Sequence, residues 1–180
     1  MSKALLIIDI QNDYFQGGAM ELHGSEEASI AAREILDKFR TEQQPVLFVQ
    51  HIASTDSSFF KPNTFGVEIR ENIKPLENEV IITKQYPNSF RDTELLSILK
   101  KHGIKELVIC GMMTHMCVDS TVRAAYDLGF NNTLIHDACA TKSQEFKSIL
   151  VMPDKVQASY MAAIHGTFAK VMSSQDFLVS

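Results

Sequence analysis

Three residues with complementary chemistry follow apolar runs that have the character of buried strands. Asp9 ends the first run, Lys84 ends the third, and Cys117 follows the fourth after a five-residue loop, Met112–Met116. Because parallel strands bring their carboxyl ends to one edge of a sheet, where ligands bind in such folds, we expect these three side chains to converge. A carboxylate, an ammonium and a thiol at one edge could support nucleophilic catalysis.

Cys117 is the predicted nucleophile of this set. It opens a helical pattern, and a helix N-terminus presents unpaired N–H groups and a positive dipole end that favour a thiolate. The same N–H groups can stabilise an oxyanion. A lone cysteine is more often an inert buried residue. A lone Asp9 or Lys84 likewise has an ordinary interpretation, as a turn cap or a solvated lysine, but the three together favour catalysis.

The elements that must position these residues alternate along the chain. Continuous apolar runs predict strands covered on both faces, and the helical patterns between them predict a three-layer α/β/α sandwich with a mainly parallel sheet of about six strands. We expect one domain over residues 1–180. The predicted strands are Ala4–Ile10, Pro45–Ile52, Glu79–Lys84, Glu106–Gly111, Thr133–Asp137 and, more weakly, Phe168–Met172. The predicted helices are Glu26–Arg40, Asp92–His102, Cys117–Leu128 and Lys155–His165.

One long segment, Ala53–Asn78, has no regular period. A loop of this length in a compact domain is usually a lid or a binding segment. It carries Phe59, Phe60 and Phe65, which either roof the chain's own pocket or offer apolar area for contact with a second copy. We expect a homodimer or a larger homo-oligomer.

Composition excludes several classes of partner. The 180 residues carry a net charge of −5, which argues against nucleic acid and anionic membranes as partners. The start of the chain lacks a secretory pattern. Three cysteines, Cys110, Cys117 and Cys139, cannot all pair within the chain, so reduced thiols in a cytoplasmic protein are expected.

Motifs of several enzyme classes are absent from the sequence. It contains no Gly-x-Ser-x-Gly, no Gly-x-x-x-x-Gly-Lys, no Gly-x-Gly-x-x-Gly and no Cys-x-x-Cys. Serine hydrolases, nucleotide triphosphatases, dinucleotide enzymes and thioredoxin-type proteins are therefore disfavoured. The cysteine spacing does not fit zinc, and Asp9–Met20 lacks the Gly and Glu of a calcium loop. We expect neither a metal nor a cofactor.

The ordered set Asp9, Lys84 and Cys117, with the segment Gly111–Ala125, resembles the isochorismatase-like cysteine hydrolase family. The similarity extends from Ile7–Asp13 to Asp137–Ala140. The Gly-x-x-Thr-x-x-Cys-Val segment is its most specific part.

The resemblance implies a three-layer Rossmann-like fold and an Asp-Lys-Cys triad made of Asp9, Lys84 and Cys117. It also implies a cis peptide bond between Met112 and Met113, with the N–H groups of Met113 and Cys117 forming the oxyanion hole.

Two departures from family patterns bear on the substrate. Nicotinamidases of the family carry an Asp-x-His metal motif after the second strand, where this chain has Gln50–Ala53 and no further histidine until His102. Isochorismatases proper generally lack the nucleophilic cysteine that Cys117 supplies. The loop is most similar to that of the subgroup that includes streptothricin hydrolases.

The sequence therefore favours a hydrolase that cleaves an amide, lactam or ureido C–N bond of a small molecule through a thioester on Cys117. Nicotinamidase or isochorismatase-type activity is an alternative, and so is a non-catalytic small-molecule binding protein, because fold does not fix function. Six residues are candidates for the pocket wall: Gln11, Phe15, His51, Tyr86, Phe90 and His115.

Overall fold

The computed structural model describes residues 2–180, and its centre is a six-stranded parallel sheet. The strand order is β3-β2-β1-β4-β5-β8, and every neighbouring pair is parallel. This confirms the predicted α/β sheet. The strands are β1 (Ser2–Ile8), β2 (Val46–His51), β3 (Val80–Lys84), β4 (Ile104–Met112), β5 (Asn131–Ala140) and β8 (Lys170–Met172).

Helices cover both faces of the sheet and complete the three layers. Helices α1 (Ser25–Thr41) and α5 (Ser174–Leu178) pack on one face, where Phe39 and Phe177 stack with ring centroids 6.2 Å apart. The opposite face carries α2 (Leu95–Lys101), α3 (Asp119–Asp127) and α4 (Pro153–Ile164). No helix within residues 2–180 is both long and apolar enough to cross a membrane.

The sheet order creates the crevice in which a site can form. Strand β1 pairs with β2 on one side and with β4 on the other, so the winding of the chain reverses between β1 and β4. Ligands of open α/β sheets bind beyond the carboxyl ends of the strands at such a point. Gly111 permits a close approach of β4 to β1 there, because its φ is +137° and a Cβ would collide with the backbone of Ile8. Asp9 is the residue directly after Ile8 in the chain.

Several predicted element boundaries are wrong. Helix α2 begins at Leu95 rather than Asp92, because Asp92 has a left-handed backbone (φ 54°) that no α-helix accommodates. Strand β5 continues to Ala140 through an irregularity in its pairing with β4. Two elements were not predicted, namely α5 and an antiparallel hairpin of β6 (Gln144–Phe146) and β7 (Ile149–Val151).

The aperiodic segment 53–78 contains only two short 3₁₀ turns, Phe65–Val67 and Glu71–Ile73. Buried Asp13 anchors it, because its Oδ2 accepts a hydrogen bond from the backbone N–H of Phe60 at 2.6 Å. Its three phenylalanines do not share one environment. Phe60 is buried against Tyr14, with ring centroids 4.6 Å apart, whereas Phe65 is exposed.

Candidate active site

The three residues with complementary chemistry meet at the carboxyl edge of the sheet. Asp9 directly follows β1, Lys84 is the last residue of β3, and Cys117 lies five residues beyond β4. Oδ2 of Asp9 lies 2.7 Å from Nζ of Lys84, and Lys84 Nζ donates a hydrogen bond to Sγ of Cys117 at 3.3 Å. Asp9 and Lys84 have fully buried side chains, and Cys117 is 5% exposed.

The carboxylate of Asp9 is only partly paired. Lys84 contacts Oδ2 at 2.7 Å, but within residues 2–180 the buried Oδ1 has no hydrogen-bond partner. A buried acceptor without a hydrogen bond is unfavourable unless it serves a purpose such as catalysis. The backbone of Asp9 is also left-handed, with φ at 50°, and such backbone outliers cluster at active sites.

Electrostatics favour a charged lysine beside a neutral thiol. Burial lowers the pKa of Lys84, but the negative charge of Asp9 and the hydrogen bonds to Asp9 and Cys117 outweigh it and raise that pKa above its usual value. Burial and the charge of Asp9 raise the pKa of Cys117, although Lys84 acts in the opposite direction. The site at rest therefore holds a carboxylate, an ammonium and a thiol.

This result corrects the expectation that a helix N-terminus favours a Cys117 thiolate. Cys117 is not the first residue of an α-helix, because it lies inside a π-helical turn, Thr114–Val118, that precedes α3. Burial and the neighbouring carboxylate determine its protonation state instead. A buried thiol of this kind needs a base to become a nucleophile.

The loop that carries Cys117 is held on both sides. The peptide bond between Met112 and Met113 is cis, and the π-helical turn begins immediately afterwards. Oγ1 of Thr114 donates to Oε1 of Gln157 at 2.6 Å, which ties the turn to α4. His115 Nδ1 lies 2.6 Å from Oγ1 of Thr141. Gln157 and Thr141 were not predicted as site residues, and no sequence motif marks them.

Two of the six candidate pocket residues lie in the protein interior. Phe15 is 1% exposed, and the guanidinium of Arg70 lies over its ring at 4.3 Å. Gln11 is fully buried, and its Nε2 donates to the carbonyls of His51 and Val67 at 2.9 and 2.7 Å. These placements favour a role in holding the fold for both residues over direct contact with a substrate.

The other four candidates are half-buried. His51 lies beside Lys84, with Nδ1 of the ring 2.9 Å from Nζ. Tyr86 and Lys84 line a cavity of about 260 Å³, where the guanidinium of Arg91 stacks on Tyr86 at 3.6 Å. Phe90 instead stacks on Phe130, with centroids 6.0 Å apart. His115 is held by Thr141, as described above.

Tyr14 is a neighbour of the site that the sequence analysis missed. Burial raises its pKa well above the usual value, and the nearby acidic groups Cys117 and Asp9 add to that effect. The ring packs against Phe60 of the aperiodic segment, so Tyr14 connects this segment to the carboxyl edge of the sheet. No motif in the sequence distinguishes Tyr14 from the adjacent Phe15.

One group of side chains has the spacing of metal ligands. A ligand atom of Asp9, one of His51 and Sγ of Cys117 all lie within 4.8 Å of one another. However, Nζ of Lys84 lies 2.7 Å from Oδ2 of Asp9, 2.9 Å from Nδ1 of His51 and 3.3 Å from Sγ of Cys117. The ammonium therefore occupies the position that a metal ion would take, and the residues present do not fit a metal.

Comparison with known proteins identifies relatives over nearly the whole chain. Residues 3–176 match the model of the Isochorismatase domain. The uncharacterized isochorismatase family protein YddQ of Bacillus subtilis is 46% identical over 179 residues, which cover 99% of each chain. A streptothricin hydrolase of Streptomyces noursei is 32% identical over 139 residues, covering 77% of this chain and 50% of that protein.

A solved structure shares the fold closely. The structure of a presumed isochorismatase hydrolase from Oleispira antarctica superposes with a TM-score of 0.97 at 41% sequence identity, covering 99% of this chain and 97% of that one. The three-layer architecture is therefore one that an experimentally solved relative also adopts.

Proposed function

Because the chain belongs to the isochorismatase family of hydrolases, we propose that it hydrolyses a C–N bond of a small molecule with Cys117 as the nucleophile. The observation that carries the proposal is the buried cluster in which Lys84 contacts both Asp9, at 2.7 Å, and Cys117, at 3.3 Å. Similarity to a streptothricin hydrolase supports hydrolysis of a small molecule.

The first half of the reaction begins with proton transfer from Cys117 to Asp9. The Sγ atom then attacks the carbonyl carbon, and the N–H groups of Met113 and Cys117 stabilise the oxyanion of the tetrahedral intermediate. Protonated Asp9 gives its proton to the leaving nitrogen as the C–N bond breaks. An amine departs, and the acyl group remains on Cys117 as a thioester.

The second half returns the enzyme to its resting state. Asp9 takes a proton from a water molecule, the hydroxide attacks the thioester carbonyl, and the tetrahedral intermediate collapses. The acid product leaves, and Cys117 recovers its proton from Asp9. Lys84 keeps its charge throughout, so it stabilises the thiolate and the carboxylate in turn.

The resting protonation states support this order of events. A neutral thiol beside a carboxylate and an ammonium carries no net charge as a group. Transfer of a proton from Cys117 to Asp9 preserves that balance, because one negative charge moves between two atoms that lie close together. A site from which water is largely excluded would oppose a change of its net charge.

The experiment is a screen for release of ammonia or amine from primary amides, lactams and ureido acids. The wild-type chain is compared with Cys117→Ala and, as a control for cysteine loss, with Cys110→Ala, because Cys110 is buried within β4. We expect turnover of at least one compound class by wild type and Cys110→Ala and none by Cys117→Ala. Turnover that persists in Cys117→Ala contradicts the proposal.

A further inference from the structure

The ammonium of Lys84 lies between two partners, Asp9 and Cys117, although its strand does not adjoin the strand of either one. Lys84 is the last residue of β3, an edge strand, whereas Asp9 follows β1 and Cys117 follows β4. Strand β2 lies between β3 and β1, so the lysine side chain must extend across the end of β2. A long side chain with four rotatable bonds needs a contact there to keep one geometry.

The last residue of β2 supplies such a contact. His51 pairs in register with Lys84, and Nδ1 of its ring lies 2.9 Å from Nζ. A lysine ammonium has three N–H donors and no acceptor. Asp9, Cys117 and His51 supply three acceptors at 2.7, 3.3 and 2.9 Å. The number of donors therefore equals the number of acceptors around this buried charge.

The contact fixes the tautomer of the histidine. Because the Lys84 ammonium can only donate, Nδ1 of His51 must be the unprotonated nitrogen, and the proton of the neutral ring must lie on Nε2. Burial and the charge of Lys84 lower the pKa of His51, whereas Asp9 acts in the opposite direction. The ring is therefore neutral near pH 7.

The backbone of His51 is itself held in place. Oε1 of Gln11 accepts a hydrogen bond from the N–H of His51 at 2.8 Å, and Nε2 of Gln11 donates to its carbonyl at 2.9 Å. The adjacent Ile52 N–H donates to the carbonyl of Lys84 at 3.0 Å. The imidazole also packs against Phe60, with centroids 5.9 Å apart. The acceptor is therefore presented from a backbone that is fixed on both sides.

We propose that His51 is a positioning residue whose unprotonated Nδ1 holds the Lys84 ammonium between Asp9 and Cys117. Gln11 supports it by binding both main-chain groups of His51. The inference rests on the proposed function, because it assigns His51 a task in keeping Lys84 where it stabilises the thiolate. It also changes the predicted roles of Gln11 and His51 from pocket wall to support of the catalytic lysine.

The first test measures the tautomer directly and needs no substrate. Long-range ¹H–¹⁵N spectra of the full chain with labelled histidine, assigned by comparison with His51→Leu, report which ring nitrogen carries the proton. We expect a neutral His51 ring at pH 7 with the proton on Nε2. A proton on Nδ1, or a doubly protonated ring, overturns the proposal. This result does not depend on whether Cys117 is the nucleophile.

The second test uses rescue of Cys117 reactivity, measured as the rate of iodoacetamide alkylation at pH 8. His51→Leu fills similar space without an acceptor, and we expect it to slow alkylation about 10-fold, the order of one hydrogen bond to a charged group. His51→Asn places an amide oxygen near the position of Nδ1 and should return the rate to within about threefold of wild type.

A matched control and a second readout separate positioning from general damage. His136 is an exposed histidine of β5, and His136→Leu should leave the alkylation rate unchanged. With any substrate found in the screen, His51→Leu should lower kcat more than it changes KM. Alkylation of His51→Leu at the wild-type rate or faster, or failure of His51→Asn to restore it, overturns the proposal. Failure of the proposed function would appear instead as turnover by Cys117→Ala.

Discussion

The opposite effects of Asp9 and Lys84 on the Cys117 thiol give the sharpest quantitative prediction. A carboxylate oxygen of Asp9 and Sγ of Cys117 lie within 4.8 Å of each other. At an effective dielectric constant of about 20, two unit charges at that distance repel by about 3.5 kcal/mol. Asp9→Asn removes this repulsion, so it lowers the pKa of Cys117 and raises the thiolate fraction about 300-fold.

The effect on reaction rate is smaller than the effect on the thiolate fraction. A thiolate of lower basicity is a weaker nucleophile, with a Brønsted coefficient of about 0.4–0.5. Asp9→Asn should therefore speed alkylation of Cys117 by iodoacetamide about 20-fold below the pKa of the thiol, while turnover is lost because no base remains. Lys84→Met removes an attractive charge at 3.3 Å, so it raises that pKa, and we expect alkylation to slow about 100-fold.

The assay measures alkylation of the Cys117 peptide between pH 7 and pH 10. Peptide mass spectrometry distinguishes modification of Cys117 from modification of Cys110 and Cys139. Asp119→Asn is the matched control, because it makes the same chemical change two residues from Cys117, at a carboxylate that pairs with Arg123. The rate of Cys117 alkylation in Asp119→Asn should stay within about twofold of the wild-type rate. If Asp9→Asn slows alkylation, or if Lys84→Met leaves it unchanged, the electrostatic reasoning is refuted.

Three further predictions concern the aperiodic segment 53–78, metal dependence and the oligomeric state. Gly66→Ala should destabilise the chain by about 1–3 kcal/mol in a urea titration, because the new Cβ would collide with the carboxylate of Asp13; an unchanged midpoint contradicts this. Exhaustive chelation should leave turnover unaltered, because Lys84 occupies the centre of the cluster; stoichiometric zinc or iron by elemental analysis, with activity lost on its removal, contradicts this. Sedimentation at micromolar concentration should give a dimer or larger assembly, since Phe146, Ile149 and Leu150 of the hairpin are exposed; a 20.2 kDa monomer contradicts this.

The residues that end strands were predictable from the sequence. Asp9 and Lys84 stand where the first and third apolar runs stop, and Cys117 follows the fourth run after a short loop. A parallel sheet requires these ends to share one edge, so their convergence follows from residue type and strand position. Five of the six parallel strands were predictable from clear apolar runs, whereas the sixth, β8, has only three residues and gave a weaker signal.

The relation between His51 and Lys84 was not predictable in the same way. It depends on β2 and β3 being neighbours in register, which residue patterns do not specify. The pKa of Cys117 depends on burial in three dimensions, and burial reverses the effect expected from a helix N-terminus. The burial of Phe60 was not predictable either, because it depends on Asp13 and Tyr14, more than forty residues earlier in the chain.

The β6–β7 hairpin was missed because its turn lacks the usual signal. Two-residue hairpin turns of the common type favour Asn-Gly or similar pairs, since both central residues need positive φ. Here Lys147 and Ser148 take φ values of 48° and 63°. Neither residue type marks such a turn, and the two flanking strands of three residues each are too short to show a period.

The most direct test of the central claim is detection of the acyl group on Cys117. With a substrate from the amide, lactam and ureido panel, the reaction is quenched in acid during turnover and the protein is analysed by intact-mass and peptide mass spectrometry. The account predicts a mass increase equal to the acyl portion of the substrate, located on the Cys117 peptide and absent from Cys117→Ala. Full turnover by Cys117→Ala, or an adduct on a different residue, would contradict it.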